Sequence, residues 1–172
     1  MDDVTSDATA DWERRVADLW ASLDDLDEQE FVARVATLVG ELPAGSAVGL
    51  FERACSLDST GHSDQAVPLY QEALRVGLSG QRRRRAVIQL ASSLRSVGRS
   101  AQSVEMLRAE REVTHDELDD AIAAVLALAL TDIGCEREAV SIAVTALSRH
   151  LVRYQRSMVN YARQIMESDA VR

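Results

Sequence analysis

The sequence predicts an all-α protein built from stacked helical hairpins, and three observations carry that reading. Gly61, Gly98 and Gly134 recur 37 and 36 residues apart, each between two short helical patterns. Each has an alanine seven residues before it: Ala54, Ala91 and Ala127. A fixed period with small residues at one phase marks an array of helical repeats. The composition agrees, with 47% hydrophobic residues dominated by Ala and Leu, 4% aromatics, and only two prolines, Pro43 and Pro68. A sheet protein would hold more β-branched and turn residues. At 172 residues the chain can form one domain or one short array with a sizeable core.

Residues 1–9 (MDDVTSDAT) are small, polar and acidic and are expected to be disordered. Residues 10–45 hold two flanking helices. Trp12, Val16, Leu19, Trp20 and Leu23 fall on one helix face, and the acidic cluster at 24–28 interrupts them. Phe31, Val35, Leu38, Val39 and Leu42 mark the second helix, which Pro43 ends. Residues 46–148 divide into three pairs, with helices near 46–58 and 64–76, 81–97 and 101–113, and 116–133 and 136–148. Gly77 suits a C-terminal cap, Ser100 an N-cap, and Thr114 with Glu117 a capping box. Residues 149–172 hold a last helix from about 151 to 167, with Leu151, Tyr154, Met158, Tyr161 and Ile165 as its apolar stripe. Its expected role is to close the end of the array. The same spacing also suits a dimer seam.

The pairs resemble the tetratricopeptide repeat family in a divergent bacterial form with about three repeats. The first pair shows Leu50, Arg53, Ala54 and Leu57, then Ala66, Tyr70 and Ala73. The second shows Val87, Leu90, Ala91 and Leu94, then Ser103, Leu107 and Glu110. The third shows Ala123, Leu126, Ala127 and Leu130, then Ala139, Ala143 and Ala146. Two helices approach closely only where side chains are short, so Ala54 with Ala66, Ala91 with Ser103 and Ala127 with Ala139 are the expected contact points. Tyr70 and Leu107 are the larger residues expected to fill the space around them. The unit runs longer than the family's usual one, and Arg53 and Glu110 stand where the consensus is apolar or small. The resemblance implies a right-handed superhelix of about nine helices.

It also implies a concave groove lined by the first helix of each pair. Transferred onto this chain, the candidates are Phe51, Glu52, Cys55 and Asp58 from the first pair. The second supplies Arg85, Ile88, Gln89, Ser92 and Arg95, and the third Val125, Leu128 and Asp132. Some members clamp a partner's C-terminal carboxylate with Lys, Arg and Asn. This chain has no lysine, and its one asparagine, Asn160, lies outside these positions, which argues against such a clamp.

The formal charge of -9 is an N-terminal property. Residues 1–30 hold eleven acids and two arginines, whereas residues 31–172 hold seventeen of each. An acidic chain argues against nucleic acid as the main ligand. The run Arg82–Arg85 admits three readings: a contact to an acidic ligand, a pairing with Asp24–Glu30, or a solvated helix start. The longest apolar run, Ala121–Leu130, is too short to span a membrane. Cys55 and Cys135 lie far apart and read as free thiols of a cytoplasmic protein. His62, His115 and His150 are scattered, and no catalytic, phosphate-loop, dinucleotide or metal-ligand spacing occurs, so neither an enzyme nor a cofactor is expected. The expected function is a non-catalytic interaction scaffold that binds an unknown protein or peptide in the groove. The alternatives are a self-assembling homo-oligomer, joined as a dimer through its N- and C-terminal helices, and a small-ligand sensor or enzyme accessory subunit.

Overall fold

The structure, a computed structural model, describes residues 2–113 and 115–167. Among the described residues it is all-helical, with nine α-helices, one 3-10 turn and no strand. In chain order these are α1 (Asp2–Ala21), the 3-10 turn Leu23–Asp25, α2 (Glu28–Val39), α3 (Ala47–Ser59), α4 (Ser63–Arg75), α5 (Gly80–Ser96), α6 (Ser100–Val113), α7 (Asp119–Asp132), α8 (Glu136–Ser148) and α9 (Gln155–Glu167). The chain divides into two compact units, residues 1–82 and 83–172, with the boundary in the first turn of α5.

The hairpin turns follow one physical rule. Gly61, Gly98 and Gly134 have φ of 86°, 78° and 78°, the left-handed region that L side chains avoid. In each case the residue after the glycine donates to the carbonyl five residues back, closing the helix end. His62 N bonds Leu57 O at 2.8 Å, Arg99 N bonds Leu94 O at 2.8 Å, and Cys135 N bonds Leu130 O at 2.9 Å. This is the Schellman arrangement, which satisfies carbonyls the helix itself leaves open. Gly77 ends α4 the same way, with Leu78 N on Ala73 O at 2.9 Å.

The first unit packs α1 on α2, α2 on α3 and α3 on α4. Trp12, Val16, Phe31, Val35, Phe51, Ala54, Ala66, Tyr70 and Ala73 are buried. Trp20 meets Phe31 edge-on, with centroids 5.0 Å apart, and Phe51 tilts against Tyr70 at 6.2 Å. Trp12 Nε1 donates to Leu38 O at 2.8 Å, and Arg15 forks onto Glu41 at 2.8 and 2.5 Å, tying α1 to the end of α2. Asp27 caps α2 by accepting from Glu30 N at 2.9 Å.

The second unit has an aliphatic core. Ala91 from α5, Val104 and Leu107 from α6, Ile122, Leu126, Ala127, Ala129 and Leu130 from α7, and Ala139 from α8 form one cluster. The small-residue positions Ala54, Ala66, Ala91, Ser103, Ala127 and Ala139 are all buried, as are Tyr70 and Leu107. Burying such side chains is worth about 1.5–3 kcal/mol for each large one. Helix α9 packs on α8, where Ser141 Oγ donates to Ala162 O at 2.8 Å and Arg137 Nη2 to Ile165 O at 2.5 Å.

Several local expectations are corrected. Helix α1 begins at Asp2, which places residues 2–9, expected to be disordered, within it. Once nucleated, a helix extends at little cost per residue. The Ser100 hydroxyl donates to Asp132 Oδ2 at 2.9 Å instead of capping α6. Thr114 of the expected capping box lies outside the described residues. Helix α7 begins only at Asp119, after a turn in which Leu118 N bonds Asp116 Oδ1 at 2.9 Å. Helix α9 begins at Gln155 because Tyr154 adopts φ of 70°, which no helix tolerates.

Candidate interaction surface

In the first unit, α3 carries Phe51, Glu52, Cys55 and Asp58. Phe51, Glu52 and Cys55 are buried, which corrects the expectation that they face an open groove. Trp20 of the flanking helix α1 reaches Glu52. Trp20 Nε1 donates to its Oε2 at 2.9 Å, and Arg82 Nε to its Oε1 at 3.0 Å. Arg82 also forks onto Glu13 at 2.9 and 2.5 Å. The bond to Glu13 holds Arg82 above the ordinary arginine value; burial opposes the charge, and Glu52 adds to its support. Asp58 accepts from Ser63 Oγ at 2.8 Å and so serves the hairpin turn.

In the second unit the candidates lie on α5 and α7. Arg85 is exposed, and Ile88, Gln89, Ser92 and Val125 are half-buried, with Ile88 and Val125 packed on the aliphatic core. Leu128 is 51% exposed. It belongs to a strip of exposed residues on α7, Ala121, Ala124, Leu128 and Thr131, at spacings of three and four. Arg95 Nε bridges from α5 to Asp132 Oδ2 on α7 at 2.7 Å. These two residues border an open cleft of about 610 Å³ that Ser100 and the exposed Ile133 also line. A second cavity, of about 300 Å³, lies among Arg111, His115, Asp119, Ile142, Thr145 and Arg149.

The most buried charged side chain belongs to the arginine run, though its enclosure was not expected from the sequence. Arg84 is 2% exposed. Its guanidinium donates to Glu110 Oε1 at 2.8 Å, Asp116 Oδ1 at 3.2 Å and Asp119 Oδ1 at 2.6 Å. Arg83 also bonds Glu110. Burial works against the Arg84 charge, yet the bonds to Glu110 and Asp116 carry it above the ordinary arginine range. The arginine run is therefore not solvated throughout, and within one chain Arg82, Arg83 and Arg84 pair with acids outside Asp24–Glu30. Arg82 serves the first unit, and Arg83 and Arg84 serve the second. Glu110, in a position where the repeat wants a small residue, was the available signal, because a buried acid needs a buried cation.

Each histidine lies beside a carboxylate: His62 by Glu28, His115 by Asp119 at 3.1 Å, and His150 by Asp120 at 2.8 Å. Among the described residues no group of three His, Cys, Asp or Glu side chains is placed to hold a metal ion, and no helix is long and apolar enough to cross a membrane.

Paired helices turned by left-handed glycines at a near-constant period define a helical-hairpin repeat protein. A family described as Tetratrico peptide repeat matches residues 47–165, and the chain belongs to that family. No curated protein and no solved structure matches the chain. The family is one of protein-binding scaffolds, typically non-catalytic.

Proposed function

We propose that this protein is a non-catalytic scaffold that holds a segment of a partner protein on the exposed face of its repeat helices. The observation that carries the reading is the α7 strip of Ala121, Ala124, Leu128 and Thr131, which leaves a large apolar side chain in water on a first helix of a repeat. Amphipathic segments dock on such strips through side chains at matching helical spacing. Arg85, Arg95 and Asp132 supply charge near the same helices, which suits a segment with an apolar anchor beside an acidic group. The buried Phe51, Glu52 and Cys55 have no part in this contact, so the proposed lining narrows to α5 and α7.

The test is affinity capture from a lysate of the source organism, read by mass spectrometry, with wild type beside Leu128→Glu. Val140→Glu, an equally exposed apolar position on α8, serves as the control. A surface change of this kind should alter stability by no more than about 0.5 kcal/mol. A partner held by wild type and by Val140→Glu but lost by Leu128→Glu supports the reading. Equal capture by Leu128→Glu removes it.

A further inference from the structure

The C-terminal segment presents arginines that no acid among the described residues pairs with. Residues 149–167 hold four arginines against one acid, Glu167, for a net charge of +3. Arg149 reaches Asp120 at 3.3 Å. Arg153, Arg156 and Arg163 are exposed, and none of them makes an ion pair among the described residues. Arg156 and Arg163, seven apart on α9, share one side of the helix. Arg153 stands in the preceding loop between Val152 and Tyr154, which are 98% and 72% exposed, and Tyr154 is held in the left-handed region. An arginine flanked by two exposed apolar side chains, on a backbone that an L residue adopts only under strain, has the form of a contact point rather than a solvated turn.

The complementary pattern stands at the other end of the sequence. Asp18 on α1 and Asp24 and Asp25 in the 3-10 turn are exposed and make no ion pair among the described residues. Half-buried Leu23 and Leu26 bracket the two adjacent acids, as Val152 and Tyr154 bracket Arg153. Neighbouring acids elsewhere in the first unit are already engaged: Asp11 and Glu41 with Arg15, Glu30 with Arg34, and Glu13 and Glu52 with Arg82.

We propose that the α9 face binds a second copy of this chain, with Arg153, Arg156 and Arg163 of one protomer meeting Asp18, Asp24 and Asp25 of its partner. A contact of one surface with a different surface closes into a two-fold dimer when it is made reciprocally and extends into a chain when it is not. Individually weak, exposed pairs of this kind act together and are strongly screened by salt. The face lies outside the proposed lining on α5 and α7, so it stands or falls separately from the scaffold reading.

The experiment is sedimentation equilibrium of the full chain over a range of concentrations, at about 0.01 M and about 1 M ionic strength, where the screening length is about 30 Å and about 3 Å. Two charge-reversed variants are run beside wild type: Arg153→Glu/Arg156→Glu/Arg163→Glu, and Asp18→Lys/Asp24→Lys/Asp25→Lys. Each variant is like-charged at both surfaces, whereas a mixture of the two restores both contacts. Circular dichroism checks that each is folded, and Arg153→Gln/Arg156→Gln replaces the first if it is not. The expected result is a wild-type mass that rises above the monomer with concentration at low salt and returns to it at high salt. Each variant alone stays monomeric, and their equimolar mixture associates. A wild type that is monomeric at low salt, a single variant that associates like wild type, or a mixture that stays monomeric overturns the proposal.

Discussion

The two units use one backbone motif and fill it with different chemistry. Residues 1–82 carry sixteen acids and six arginines, and residues 83–172 carry twelve and thirteen. Trp12, Trp20, Phe31, Phe51 and Tyr70 all lie in the first unit, where Trp12, Phe31, Phe51 and Tyr70 are buried and Trp20 is half-buried. The second unit has only Tyr154 and Tyr161, both more than half exposed, and its core is Leu, Ile, Val and Ala. The difference teaches what the repeat requires. Small residues at the crossing points and a left-handed turn are common to both units. What fills the space around them is free to be aromatic rings pinned by indole hydrogen bonds or close-packed aliphatic chains.

The largest expected effect tests that contrast directly. Phe51→Ala should destabilise the first unit by about 3–5 kcal/mol, and Leu126→Ala the second by about 2–5 kcal/mol. Both tryptophans report on the first unit, so urea unfolding followed by indole fluorescence and by far-UV circular dichroism separates the two. If fluorescence and circular dichroism shift together for both variants, the units unfold as one and the contrast is only structural.

A smaller pair of effects sharpens it. Arg82 and Arg84 stand two residues apart on α5, each holding a buried glutamate. Arg84 is itself enclosed, and Arg84→Met should cost about 3–5 kcal/mol by leaving the buried Glu110 to Arg83 alone and removing the bonds to Asp116 and Asp119. Arg84→Met/Glu110→Leu should recover much of that loss. Arg82 reaches water, and Arg82→Met should cost about 1–2 kcal/mol. Equal losses in denaturant titrations would mean that burial of the arginine does not set the scale.

The mildest effect is the response to acid. Arg15 holds Glu41, Arg75 holds Glu72 and Arg14 holds Asp11 below their ordinary carboxylate values. At Asp119 burial pulls the other way, and the bonds from His115 and from the Asp116 N–H outweigh it. A carboxyl with a lowered folded value contributes stability that is whole above its unfolded value, about 4, and is lost as the pH falls through the folded one. Three of these groups lie in the first unit, so the indole-detected transition should weaken more between about pH 4 and pH 2 than the aliphatic unit does. A melting temperature that stays flat from about pH 5 to pH 2 would show that these pairs persist in the unfolded chain.

Much of the fold was legible because its signals are local. Gly61, Gly98 and Gly134 mark the turns, since a Schellman closure needs a left-handed residue within six positions of the carbonyl it satisfies. The repeat's alanines are buried because only short side chains let paired helices approach. The surface was less legible. Phe51, Glu52 and Cys55 carry the phase of groove residues, but Glu52 is claimed by Trp20 and Arg82, 32 and 30 positions away. The start of α9 misread for a local reason: Leu151 and Tyr154 keep helical spacing, yet Tyr154 turns out of the helix.

By itself, then, the sequence determined the helices, their pairing by near-constant period, and which small residues lie between them. Those features follow from hydrogen bonds and side-chain spacings within a turn or two of the chain. Only the tertiary structure decided that Trp20 of α1 bonds Glu52 of α3, and that Arg84 is enclosed with Glu110, Asp116 and Asp119. It also decided that the apolar strip of α7 stays in water. Each of these depends on which distant helix removes a charge or a methyl group from solvent, and periodicity along one helix carries no information about its neighbour.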